Sequence, residues 1–218
     1  MKEQLPVQWS NFYLKDVSFV NLMMRRIYNV LIVANPYDAF MLEDDGRVEE
    51  KIYNEYMELG LRYPPTFTQV STIEEASRVL NTADNDAFDV ARAVKAEFSD
   101  IHCVVLTPFS HGITKRIEHE DLSIFDYVFC WLGNTNLILS IIKLMEDKMN
   151  IEHDIREVGV QMILLVEDSI RFYSSILPNL YSYILTQSQN FATEALTRHD
   201  ASLRQRGRPK VVLARNYK

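Results

Sequence analysis

The acidic pair in Glu167-Asp168-Ser169 has the composition and position of a divalent-metal site. It directly follows the apolar run MILLV, which predicts a buried β-strand over residues 162–166. Carboxylates at the end of a parallel strand lie where open α/β sheets bind ligands, and their oxygens are ligands that Mg²⁺ prefers. The alternative is structural, because acids are also favoured at a helix N-terminus by the helix dipole. The sequence leaves both hypotheses open.

The other reactive side chains form no catalytic pattern. The five histidines have no metal-ligand spacing among themselves or with either cysteine, and the sequence has no glycine-rich phosphate loop. Ser110 and His111 are adjacent but have no supporting acid, and the acidic run at 43–45 is typical of a solvated loop. The sequence therefore predicts no enzyme active site in this segment.

The charge balance argues against nucleic acid as a partner. The 218 residues carry 30 acidic and 23 basic side chains, a net charge of -7, whereas proteins that bind phosphate backbones carry an excess of Lys and Arg. The sequence has one basic cluster, near its end: Arg204, Arg206, Arg208 and Lys210. We predict that this cluster is a solvated helix end and strand entry rather than a binding patch.

Cysteine content and hydropathy predict a cytoplasmic protein. Cys103 and Cys130 each lie in an apolar run typical of a buried strand, so we expect both thiols to be buried and reduced. The N-terminus has no secretory signal. The most apolar window, residues 127–145, is interrupted by polar residues at 133–136, which favours a strand, a turn and a helix over a membrane span.

Alternating apolar runs and amphipathic stretches predict an α/β protein. Strands are predicted at 28–34, 66–70, 101–106, 127–131, 162–166 and 210–214, and helices at 48–59, 73–80, 86–98, 135–148 and 170–203. Residues 1–27 are a preamble with a helix over 17–26, and residues 150–160 are a linker or a helix extension. Such spacings predict right-handed crossovers and a doubly wound parallel sheet with helices on both faces.

The pattern restarts after residue 160, as a weak internal repeat. NVLIVANPYD and MILLVEDSIR are each followed by a long helix and a short strand, but the second copy, residues 161–218, is incomplete. Two strands and a helix cannot bury both sheet faces alone. The second copy must therefore pack on the first unit, on a second chain or on missing sequence.

The order strand, helix, strand, helix, then NDAFDVARAVKAEF, IHCVVLTPFS and DYVFCWLGNTNLILSIIKLMED, resembles the response-regulator receiver family. The similarity covers residues 28–149, and the truncated copy covers 161–218. More narrowly, the chain is similar to the N-terminal part of bacterial phosphoenolpyruvate synthase or pyruvate phosphate dikinase-like proteins, where receiver-like modules precede a catalytic region. The resemblance implies a flavodoxin-like, receiver-like fold. It also implies that Cys103 and Cys130 lie close together on neighbouring strands.

The resemblance assigns receiver positions that lack receiver chemistry in the first unit. Receivers use an acidic pair to hold Mg²⁺, an aspartate as phosphoacceptor, a Ser or Thr, and a Lys. Here Asn35 stands at the acidic pair and offers one neutral oxygen, Thr107 matches the Ser/Thr position, and Trp131 replaces the Lys. The charge of a phosphoryl group would have no partner among them. In the second copy, Glu167 and Asp168 do match the acidic pair.

The phosphoacceptor strand itself is missing from the pattern. NDAFDVARAVK aligns with the stretch that follows the acceptor loop, and only residues 81–85 lie between the preceding helix and Asp86. A helix end, a strand of about five residues and a loop do not fit there. Either the central strand has been deleted or the sequence omits a stretch. We favour omission, because losing a central strand would expose two sheet edges.

Two functions compete. The first is a non-catalytic regulatory module, a pseudo-receiver that docks to a protein partner, a downstream catalytic domain or a second copy of itself. The second is a two-component phosphoacceptor that uses Glu167, Asp168 and residues beyond this chain. The first function needs no cofactor, and the second needs Mg²⁺.

Overall fold

The computed structural model describes residues 22–34, 39–40, 42, 47–70, 87–108 and 122–215. The elements in chain order are β1 (Asn29–Val33), α1 (Val48–Glu58), β2 (Thr66–Val70), α2 (Ala87–Glu97), β3 (Val104–Pro108), a 3₁₀ turn (Leu122–Ile124), β4 (Tyr127–Trp131), α3 (Asn136–Arg156), β5 (Met162–Val166), α4 (Ile170–Thr193), α5 (Arg198–Arg206) and β6 (Lys210–Ala214). The chain is a mixed α/β protein, as its alternating pattern predicts. The helix predicted at 73–80 and the gap at 81–85 lie outside the described residues.

In the part of the chain that the structure describes, the strands form three separate parallel sheets of two strands each. β1 pairs with β2, β3 with β4, and β5 with β6. Parallel neighbours need a crossover connection, which α1 supplies for the first sheet and α4 with α5 supply for the third. Parallel pairing is therefore confirmed. The predicted single, doubly wound sheet is not seen among the residues that the structure describes.

Side chains of α4 cover the open edge of β4. The Tyr173 hydroxyl donates to the Val128 carbonyl, and the Cys130 N–H donates to Ser174 Oγ at 2.9 Å. Residues two apart on a strand present their backbone groups to the same edge. Tyr173 and Ser174 thus satisfy groups that a neighbouring strand would pair, so this sheet can stay narrow without leaving buried polar groups unbonded.

The central element is α3, a helix of 21 residues of which twelve are buried. It contacts α1, α4 and β6. The main apolar core gathers side chains from five elements, including Tyr56, Phe129, Leu144, Tyr181 and Leu213. The core therefore joins both predicted receiver-like units, and the second segment packs on the first. Residues 150–156 are the last turns of α3.

The two cysteines lie on or beside neighbouring strands, but they are not close together. The register pairs Cys130 with Thr107, four residues beyond Cys103, which corresponds to about 13 Å along the strands. Cys130 is buried and Cys103 is half-buried. The prediction of two buried, adjacent thiols is therefore wrong. The apolar run located the strand but not its register, and β3 begins at Val104, after Cys103.

Candidate functional site

Two of the predicted receiver positions meet at the C-terminal end of one sheet. Thr107 is buried near the end of β3, and the half-buried Trp131 ends β4 opposite Pro108. They are one register position apart, where a receiver would hold a phosphoryl group, but neither carries a charge. Asn35 lies outside the described residues.

Glu167 and Asp168 lie between β5 and α4. The Glu167 N–H donates to the Ala214 carbonyl at 3.0 Å, and a Glu167 carboxylate oxygen accepts the Ser169 N–H at 3.0 Å. Ser169, and not Asp168, is the N-cap of α4, while Asp168 is exposed.

The acidic pair alone is a sparse ligand set for Mg²⁺. One of its carboxylates is already engaged, and Mg²⁺ takes six ligands in an octahedron. Within the described ranges, no group of three or more His, Cys, Asp or Glu residues is placed to hold a metal ion. A magnesium site here would need waters or a further group, and it stays a prediction.

Asp147 is the centre of a buried polar network that the sequence analysis missed. Its carboxylate accepts two hydrogen bonds from the Arg208 guanidinium, at 2.8 and 3.0 Å. It also accepts the Tyr181 hydroxyl at 2.8 Å and the Val211 N–H at 3.0 Å. One fully buried carboxylate thus connects α3 with α4. It also accepts a backbone N–H on the open edge of β6, as Ser174 of α4 does on the open edge of β4.

Lys210 and Asp154 form a second buried ion pair, with Nζ and Oδ2 3.1 Å apart and neither side chain exposed. Lys210 also donates to the Arg206 carbonyl at 3.1 Å. Burial and the nearby Arg208 charge lower the pKa of Lys210 to about 8, and the surrounding carboxylates only partly oppose this. The predicted solvated basic cluster is therefore wrong for Arg208 and Lys210. Carboxylates of α3 neutralise both inside the protein, as buried cations require.

Polar side chains on one face of α3 hold the extended segment 22–27. Glu146, Asn150 and Asp154 are four residues apart. Backbone N–H groups of alternate residues donate to them: Ile27 to Glu146 at 3.3 Å, Arg25 to Asn150 at 2.9 Å and Met23 to Asp154 at 3.3 Å. Four helical residues rise about 6 Å and two extended residues span about 6.6 Å, so the two spacings match.

Asn150 adds the reverse bond, donating to the Arg25 carbonyl at 2.7 Å. It therefore pairs with Arg25 as a residue of a neighbouring strand would. The helix predicted over 17–26 is not formed in its described part, residues 22–26. The backbone N–H groups there bond to α3 and not to a preceding turn of helix.

A small cleft beside this segment carries an excess of positive charge. Among the described residues, one acid, Glu146, lines it together with five cationic side chains: Arg26, Arg62, Lys143, Arg206 and Arg208. Glu146 is paired with Lys143 at 2.8 Å. Burial and the charges of Arg26 and Arg62 lower the pKa of Arg206. We call this the cationic cleft.

Asp126, just before β4, is a separate charged centre with a structural role. It accepts hydrogen bonds from three groups: His102 Nδ1 at 3.1 Å, Lys148 Nζ at 2.6 Å and the Cys103 N–H at 2.9 Å. Burial alone would raise the pKa of Asp126, but these bonds hold it well below its usual range. Asp126 thereby fastens the start of the β3–β4 sheet to α3.

One side of α4 is apolar and exposed. Phe172, Ile176 and Tyr183 are 62%, 39% and 66% exposed, and their spacing puts them on one helix face together with Asn179. Across its 24 residues α4 has one charged side chain, Arg171, although 24% of the whole chain is charged. We call Phe172, Ile176, Asn179 and Tyr183 the α4 face.

Comparison of the chain with protein-family models, with curated proteins and with solved structures gives no match. In the ranges that the structure describes, no helix combines the length and the apolar character needed to cross a membrane.

Proposed function

We propose that this chain is a non-catalytic regulatory module of the cytoplasm that acts by docking to another protein through the α4 face. The exposed apolar residues of a charge-poor helix carry the proposal. Interface cores are enriched in aromatic residues and depleted of charged ones, whereas a helix that stays in solvent normally presents a charged face. Apart from Arg171, which is exposed beside Phe172, the neighbouring exposed residues of α4 are uncharged: Ser175, Ser182, Thr186 and Gln187.

A second copy of this chain is the partner that the face fits best. With a net charge of -7, copies repel each other over most of their surface, but the α4 face has no charge. Its spacing is symmetric about a point between Leu177 and Pro178. An antiparallel second copy would set Phe172 against the second copy's Tyr183 and Ile176 against its Asn179, as a two-fold interface requires.

The end of the β3–β4 sheet supports the non-catalytic part of the proposal. Thr107 and Trp131, which the resemblance assigns to receiver positions, lie there and carry no charge, so among the described residues of these two strand ends a transferred phosphoryl group would lack electrostatic stabilisation. The likeness to receiver modules suggests a pseudo-receiver, whose fold would be a doubly wound parallel sheet with helices on both faces. It also suggests an N-terminal regulatory region that precedes the catalytic domain of a phosphoenolpyruvate synthase-like enzyme.

Sedimentation velocity tests the docking. We expect the wild-type chain to sediment as a dimer at micromolar concentration. We expect Phe172→Glu to sediment as a monomer, because each copy would have to bury an unpaired carboxylate in an apolar interface. Tyr53→Glu is the matched control, since Tyr53 is an aromatic residue that is 51% exposed on α1. A wild-type monomer, or equal sedimentation of the two variants, would contradict docking through this face.

The second candidate, a phosphoacceptor, rests on Glu167 and Asp168 at a strand end. Acetyl phosphate with Mg²⁺ separates the two functions when it is followed by intact mass measurement. We expect no phosphoryl adduct, and no Mg²⁺-dependent rise in melting temperature that Asp168→Asn removes. An acid-labile adduct on residues 28–149, or such a rise, would favour the phosphoacceptor.

A further inference from the structure

In the described part of the chain, β5 is an outer strand with one side turned away from its partner β6. The Lys210 N–H donates to the Gln161 carbonyl at 2.9 Å, and the Glu167 N–H donates to the Ala214 carbonyl at 3.0 Å. Residues two apart on a strand present their backbone groups to the same edge, so the odd-numbered residues of 161–167 face β6. The backbone groups of three residues therefore face the open edge: Met162, Leu164 and Val166.

The open edge of β5 differs from those of β4 and β6. Helix side chains bond to the backbone at the edges of β4 and β6, but within the described ranges no side chain does so at β5. Met162 and Leu164 are 51% and 55% exposed, while Ile163 and Leu165 pack against the main core on the other face. The run MILLV also contains no charged residue and no proline, which are the usual means of preventing edge pairing.

The spacing of the open-edge groups restricts what can bind there. Three residues in alternate positions each present one N–H and one C=O, and the backbone of another extended strand matches this pattern. A helix cannot match it, because its backbone groups are bonded internally. In an antiparallel pair, the residues directly opposite Met162 and Leu164 place their side chains on the same exposed face. Alternate apolar residues are therefore expected in the added strand.

The charges at the end of β5 favour a cationic segment. Glu167 and the exposed Asp168 directly follow the strand, and the whole chain has a net charge of -7. An antiparallel strand would begin beside this acidic pair, where a Lys or Arg would be electrostatically complementary. In a symmetric antiparallel pairing with a second copy of β5, the uncharged Gln161 would take that place. Charge complementarity thus favours a different protein as the partner.

We infer that the open edge of β5 binds, by strand addition, an extended segment of a partner protein that has alternate apolar residues and a Lys or Arg at its N-terminal end. Binding would extend the β5–β6 pair to three strands and cover Met162 and Leu164. The inference goes beyond docking through the α4 face and does not depend on it, because a different element makes the contacts.

Hydrogen exchange of the full chain, resolved by NMR, tests this edge with the peptide acetyl-Lys-Lys-Val-Thr-Val-Thr-Val-amide. In the free chain we expect the amides of Ile163 and Leu165, which face β6, to exchange slowly. The amides of Leu164 and Val166 should exchange fast. Saturating peptide should slow exchange at Leu164 and Val166 by at least about tenfold, as new hydrogen bonds form. No slowing at these two amides would overturn the inference.

Analogues of the peptide show whether backbone pairing carries the binding. N-methylation of the central valine removes an N–H that would face β5, and N-methylation of the first threonine removes one that would face away. We expect the first analogue to bind at least about tenfold more weakly than the parent peptide, and the second to bind within about threefold of it. An analogue with Glu in place of both Lys should also bind more weakly, because it would face Asp168. Equal binding of the two methylated analogues would refute strand addition.

Leu164→Pro makes the matching change in the protein. Proline is tolerated in an edge strand where its nitrogen faces outward, so the bonds between β5 and β6 remain while one open-edge donor is lost. Leu164→Thr is the control, because it changes the same side chain and keeps the N–H. We expect the peptide to bind at least about tenfold more weakly to Leu164→Pro than to Leu164→Thr. The peptide analogues test the same contact without any change in the protein.

Two results with these variants would contradict the inference. One is equal affinity of Leu164→Pro and Leu164→Thr for the peptide. The other is a wild-type assembly larger than a dimer that Leu164→Pro abolishes in sedimentation velocity, because a second copy of the chain would then occupy the edge of β5.

Discussion

At the scale of single residues, the protein is organised by charges that it buries. Asp147 and Asp154 lie inside the structure and bring Arg208 and Lys210 with them. From the sequence, the acids of α3 are typical of a solvated helix face. Their spacing could have indicated a shared role, because Asp147 and Asp154 are seven residues apart and therefore lie on the same face of the helix.

Asp147→Asn should destabilise the protein by about 3–5 kcal/mol, because it leaves the buried Arg208 guanidinium without its compensating charge. The neutral amide keeps the shape of the side chain, so the loss measures charge and hydrogen bonding rather than a cavity. Urea unfolding followed by circular dichroism gives the free energy of unfolding.

Glu152→Gln is the control for Asp147→Asn. It removes a carboxylate from the same helix, but the Glu152 side chain is 77% exposed and pairs with Arg156 on the surface. We expect this control to change the free energy of unfolding by less than about 0.5 kcal/mol. A loss below about 1 kcal/mol in Asp147→Asn would show that the network does not hold the core together.

At the scale of elements, the sequence predicts the pieces better than their assembly. Strands β2, β4, β5 and β6 have the predicted bounds, because runs of β-branched and apolar residues favour strands. The burial predicted for β5 is wrong, since Met162 and Leu164 are 51% and 55% exposed. The assembly of the sheets was not predictable in this way. Helix side chains, and not further strands, cover the edges of β4 and β6, and no local periodicity encodes such long-range hydrogen bonds.

The length of α3 illustrates the same limit. Its predicted end was near residue 148, yet it continues to Arg156. The charged composition of residues 150–156 suggested a linker as readily as a helix. In the structure, Asn150 and Asp154 face segment 22–27, and these tertiary contacts outweigh local propensity.

Asn150→Ala should expose segment 22–27 to trypsin at Arg25 and Arg26. The substitution removes both side-chain bonds to the Arg25 backbone, so local opening becomes easier. We expect cleavage there to accelerate about thirtyfold, because the two lost hydrogen bonds contribute about 1 kcal/mol each. Mass spectrometry of the fragments gives the rate at each site.

Glu152→Ala controls for a general effect of substitution in α3, since its side chain is exposed. Cleavage of this control at Arg25 and Arg26 should proceed at the wild-type rate. Equal rates in all three proteins would mean that the α3 side chains do not hold the segment.

At the scale of the whole molecule, one apolar core joins the two predicted units. The candidate sites lie at the surface of the protein, around this core. The resemblance to receivers singled out Thr107 and Trp131, and Glu167 and Asp168 were singled out both by that resemblance and as an acidic pair at a strand end. The sequence did not identify the cationic cleft, because the arginines come from three distant parts of the chain. It also missed the α4 face, because the pattern of a helix does not tell which of its apolar residues the fold leaves exposed.

The central claim, that the chain works by docking through the α4 face, is tested most directly by hydroxyl-radical footprinting of the wild-type protein over a range of concentrations. We predict that oxidation of Phe172, Ile176 and Tyr183 falls several-fold as the concentration rises through dimer formation. Tyr53 and Met57 on α1 are 51% and 58% exposed and serve as internal references whose oxidation should stay constant. Oxidation of the α4 face that stays constant at every concentration, or protection of the α1 residues in its place, would contradict the account.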